Sequence, residues 1–168
     1  MSTRHVVHAI GLLAMILLLP TANARAELAA WDQAQVTALG KELVQATTAL
    51  YETFRKQPPP SVGSMQSGSY HRLKQFVRML HVVSHEFAGS LEKGEGREQT
   101  LTIYDNLMQL ARSARDEAAR VFVAHDVGDR AGAVRRVLNQ LGPYYDPDFP
   151  TLAPHPNIEP GAAGSAPR

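Results

Sequence analysis

Three stretches of this chain repeat their apolar residues at intervals of three and four, and no segment alternates convincingly at intervals of two. This pattern limits the fold more than any other feature. It gathers apolar side chains on one face of a helix and provides no strand with one buried face. In residues 27 to about 56 the stripe is Leu28, Val36, Leu39, Leu43, Ala46, Leu50 and Phe54. Pro58, Pro59 and Pro60 end it, since proline has no amide hydrogen to continue a helix. A Pro/Gly/Ser-rich connection, QPPPSVGSMQSGS, follows. It reads as a linker, or as a contact loop with a polyproline start.

The second helix is predicted from about Ser69 to Glu92, with Leu73, Phe76, Val77, Met79, Leu80, Val83, Phe87 and Leu91 on its apolar side. KGEG closes it with a glycine that can take the left-handed cap. The third begins near Glu98 and carries Ile103, Leu107, Leu110, Ala111, Ala114, Ala118 and Val121. Continued to Leu141 it would reach about 66 Å, against about 45 Å for the first. A third of it would then lack a partner. A break at His125-Asp126 removes the mismatch, with Asp126 as the cap of a shorter fourth helix and Asp129 completing an acidic capping box. Val127, Ala131, Val134, Leu138 and Leu141 line that helix. The expected fold is all-α, an antiparallel four-helix bundle with a short last helix and a Pro-rich C-terminal tail. The alternative is three helices with a long third one.

The ends point to export. Arg4, the apolar run Ala9 to Leu19, Pro20 and the small-residue sites Ala22-Asn23-Ala24 and Ala24-Arg25-Ala26 have the order of a secretory signal. The apolar run is shorter than the roughly 20 residues that span a bilayer. Residues 1–26 are therefore read as a signal peptide cut after Ala24 or Ala26, residues 27–141 as the helical domain and residues 142–168 as the tail. The product is expected in the periplasm or outside the cell, with no stable membrane insertion. Cleavage after Ala26 removes Arg4 and Arg25 from 17 basic residues and none of 16 acidic ones, leaving 15 against 16. A near-neutral chain offers no argument for nucleic acid. With no cysteine there is no lipid anchor, disulfide frame, covalent haem or thiol nucleophile, so the core alone must hold the fold.

The chemistry-bearing residues are few. His81 and His85 stand four apart in HVVSHE, a spacing that sets both imidazoles on one helix face. Counted at 100° per residue from Leu73, they fall with His71, Lys74 and Arg78 on a basic face away from the apolar side. Such a face is solvated, holds a divalent transition metal with water completing the shell, or docks an acidic partner. The same count, continued from Leu107, turns His125 toward the core. There it is a hydrogen-bonded neutral histidine or a ligand to a metal or b-type haem. Met108 lies about 100° off the stripe, a poor partner for such a haem. Asp116 and Glu117 read as surface ion-pair members beside Arg112, Arg115 and Arg120.

Tyr144, Tyr145 and Phe149 form a proline-kinked aromatic strip. It either covers the end of the bundle or engages a partner. Seven of the 11 prolines follow Leu141, and residues from about Asn157 are expected to be disordered. Ser84, His85 and Glu86 are adjacent, so they point about 100° apart and cannot relay a proton. Neither a nucleophile elbow nor a metalloprotease or phosphate-loop motif occurs. The expectation is a non-enzymatic binding or accessory protein for a protein or small-ligand partner, without a cofactor. A metal-handling or haem-binding bundle using His81, His85 or His125 is the alternative, and a structural envelope protein a third.

Overall fold

The computed structural model describes residues 27–61 and 66–152. The signal reading of residues 1–26, part of the Pro/Gly/Ser connection and the tail beyond Leu152 lie outside the described residues. Within them the chain is all-helical, with four helices and no strand: α1 Gln33–Arg55, α2 Ser67–Glu92, α3 Arg97–Ala118 and α4 His125–Tyr145. Among the described residues no helix is long and apolar enough to cross a membrane.

Each terminus has a local cause. Asp32 caps α1, its carboxylate accepting from the Gln35 amide at 3.0 Å. Residues 27–31 are therefore not helical, and Leu28 is exposed rather than part of the stripe. Gly94 takes φ +84 after α2. The Gly94 and Glu95 amides then donate back to the Leu91 and Ser90 carbonyls at 3.0 and 3.1 Å. At the start of α3 the Gln99 side chain accepts from the Gly96 amide at 3.1 Å.

The third and fourth helices are separate. The break comes earlier than the sequence suggests, at residues 119–124, and Ala124 rather than Asp126 stands at the cap position. Asp126 lies inside the first turn, where its carboxylate accepts from the Val127 amide at 2.9 Å. Helix α4 also runs past Leu141 through Pro143 to Tyr145. Pro143 has no amide hydrogen to give to the Asn139 carbonyl, so the last turn of α4 lacks that bond.

Helix α1 lies against α2 and α4, α2 against α3, and α3 meets α4 over a shorter stretch. The core is one cluster in which Val36, Leu43, Phe87, Leu107, Leu138 and Leu141 lose all contact with solvent. Buried side chains of this kind each contribute about 1.5–3 kcal/mol. At Gly40 the α1 and α2 backbones approach closely: a Cβ there would lie 2.9 Å from Leu91 Cδ1 and 3.5 Å from Ala88 Cα. Across the same interface Thr47 Oγ1 and Ser84 Oγ share a buried hydrogen bond of 2.7 Å. The serine of HVVSHE therefore points inward.

Three expectations about faces are corrected. Met79 is 46 % exposed, outside the buried arc of α2. Met108 is buried, because α3 contacts both α2 and α4 and its apolar arc is wider than one stripe. Glu117 is not a surface acid. Its carboxylate accepts from Arg72 of α2, Nε at 2.8 Å and Nη2 at 3.1 Å. That paired guanidinium, by hydrogen bond first, holds the carboxyl below its usual range.

Candidate functional site

Small residues on facing helices leave a cleft. Helix α3 presents Ala111, Ala114 and Ala118, and α4 presents Gly128, Ala131 and Gly132. These side chains are too short to fill the space that the shorter α3–α4 contact leaves open. The floor comes from the other helices, with Leu50 and Phe54 of α1 and Leu73, Val77 and Leu80 of α2. Leu152 closes one wall. It is fixed by Asn139, whose Oδ1 accepts from the Leu152 amide at 2.9 Å. The cleft volume is about 300 Å³, at the small end of ligand pockets. Arg115, Arg135, Arg136 and Asp129 stand among its lining residues. Phe122, on the α3–α4 connection next to the lining residue Val123, is 84 % exposed.

The opposite end is filled by aromatic rings. Trp31 meets Tyr144 and Tyr145 edge-on at 6.3 and 5.7 Å, and Tyr145 stacks on Tyr104 at 4.2 Å. The Ala29 amide donates to the Pro143 carbonyl at 2.8 Å, tying the segment before α1 to the end of α4. The Tyr145 hydroxyl shares a hydrogen bond of 2.8 Å with Thr100. Burial pushes the Tyr145 phenol up to about 12 and raises Tyr104 as well. The Tyr104 hydroxyl is buried without a partner among the described residues. Beside these rings lies a polar recess of about 370 Å³ that includes Asp105, Arg112 and Asp146.

The residues singled out in the sequence do not converge. Tyr144 and Tyr145 are buried core members, and Phe149 folds back on Gly142, where a Cβ would collide with its ring. His71, Lys74 and Arg78 are exposed along α2. His85 is exposed too, but His81 is only half-exposed, its ring stacked on Tyr51 at 5.0 Å. The His81 and His85 rings lie 4.9 Å apart. Burial first, and His85 second, lower the His81 pKa, with Glu52 working in the other direction.

The inward reading of His125 is corrected. Its side chain is 70 % exposed and its Nε2 lies 3.6 Å from Asp129 Oδ2. The 100° count was carried across residues 119–124, which are not helical, so the phase was lost. Among the described residues no three His, Asp or Glu side chains gather around a common point. No family model, curated protein or solved structure matches this chain. The cleft itself was missed by sequence reasoning. Its one signal was the run of alanines and glycines on two stripes that should otherwise hold bulky residues.

Proposed function

We propose that this chain is an exported, non-enzymatic, antiparallel four-helix-bundle protein that binds a small apolar ligand in the α3–α4 cleft. The supporting observation is the cleft of about 300 Å³, to which all four helices contribute apolar wall. A concave, mostly apolar surface with a few polar groups is the usual form of a small-molecule site. The antiparallel order is supported by end-to-end contacts: Gln33 at the start of α1 donates to Leu91 O near the end of α2, and Phe54 near the end of α1 stacks on Tyr70 near the start of α2. The signal-like N-terminus supports export.

The test is titration of the purified protein with a neutral naphthylamine dye whose fluorescence rises in apolar surroundings. A saturable rise is expected. Gly132→Leu should abolish it with helix content intact, because a Cβ at Gly132 meets nothing within 4 Å and the larger side chain can occupy the cleft. A wild-type protein that leaves the dye dark, or a variant that binds it equally well, would reject the reading.

A second reading rests on the adjacent His81 and His85 rings, a two-point metal site on α2. Metal analysis of protein purified without a histidine tag tests it. One bound ion per chain, lost in His81→Ala, would favour this reading.

A further inference from the structure

The residues lining the cleft carry more positive than negative charge: Arg115, Arg135 and Arg136 against Asp129. Two of these four are already engaged. Arg115 Nη2 lies 3.1 Å from Asp116, and Asp129 is beside His125. Arg135 and Arg136 make no ion pair among the described residues. Arg135 is half-buried along the cleft and Arg136 is exposed, so both stems can lie on the apolar wall with their heads free for an anion. The lining leucines and Phe54 are buried, whereas Arg135 and Arg136 are not. The lining is therefore amphipathic, with buried apolar side chains and more exposed cations.

We propose that the cleft takes a free single-chain amphiphile with a carboxylate head, its hydrocarbon among the apolar walls and its head on Arg135 and Arg136. This rests on the cleft being the ligand site. A carboxylate matches the two-pronged donor geometry of a guanidinium, and a cationic head would meet like charge. A water-sized group, close to a methylene in volume, fills about 30 Å³. The cleft thus seats roughly ten such groups, a medium-length chain rather than a long one. Leu152, the last described residue, forms part of the wall, so the chain that follows starts at the cleft and is the rival occupant.

The experiment is displacement of the neutral naphthylamine dye by decanoate, decanol and decyltrimethylammonium, in the wild-type protein and in an Arg135→Gln/Arg136→Gln variant. Decanoate should bind at least about tenfold more tightly than the other two, and the variant should lose that factor for decanoate alone. Shortening the acid should weaken binding by about fourfold per methylene. Equal binding of the three heads, or equal losses for all three in the variant, would overturn the headgroup assignment while leaving the cleft as a ligand site. A dye that never binds would remove the cleft reading as well. Decanoate binding only after truncation behind Leu152 would make the tail the native occupant and overturn the proposal.

Discussion

Single residues in this protein differ most in whether their polar atoms found partners. Tyr104 has lost its access to water and its hydroxyl makes no hydrogen bond among the described residues. An unsatisfied buried group costs about 1–3 kcal/mol. Tyr104→Phe is therefore expected to leave stability unchanged or raise it in urea denaturation, and a clear loss would mean that the hydroxyl has a partner. Leu80 is the opposite case, 2 % exposed and wholly apolar. Leu80→Ala should cost about 2–5 kcal/mol, where His85→Ala on the exposed side should cost almost nothing. His81 lies between them. Its pKa is lowered by burial against Tyr51, so the folded state prefers the neutral ring. Its contribution is present above the ordinary imidazole value of about 6.5 and is lost as pH falls through the lower folded-state value. Denaturation midpoints should fall below about pH 6.5, and His81→Gln should flatten that slope.

Elements in this chain begin and end where local chemistry tells them to, and most of those signals are readable. Asp32 caps α1, the prolines stop it and Gly94 closes α2 in the left-handed region. Asp32→Ala should cost about 1 kcal/mol, read from the thermal midpoint with helix content unchanged away from the first turn. The α3–α4 boundary was located less well. Alanine and arginine are good helix formers, so residues 111–120 carry no local stop. Helix α3 ends at Ala118 with Glu117 held by Arg72, and Val121 and Val123 pack on the core. This is a tertiary decision, and a reading of one helix at a time misses the surroundings it gives His125 and Glu117. The aromatic strip was misplaced for a related reason. The sequence places the end of the helical domain at Leu141, but α4 continues through Pro143 to Tyr145, where both tyrosine rings are buried.

At the scale of the whole molecule, the described residues combine a sealed end and an open one. At the sealed end Trp31, Tyr104, Tyr144 and Tyr145 pack together, and both Tyr104 and Tyr145 favour the neutral phenol. Their stabilising contribution is complete below the ordinary tyrosine value near 10 and is lost as pH rises through about 12, where Tyr145 titrates in the fold. Cooperative unfolding is expected to set in above about pH 10, and tyrosinate absorbance at that pH should lag behind that of an unfolded control. At the open end the α3–α4 cleft keeps its apolar walls and lining arginines.

By itself the sequence determined that the chain is helical, roughly where each helix runs and which stripe of α2 faces inward. Those properties follow from side-chain spacing and local caps, which act over three or four residues. Only the tertiary structure decided that Ser84 meets Thr47, that Glu117 is buried on Arg72, that His125 faces outward and that small residues on two helices leave a cleft. Each depends on residues distant in sequence meeting in space. A helical wheel describes one element at a time, so it carries no information about what lies opposite.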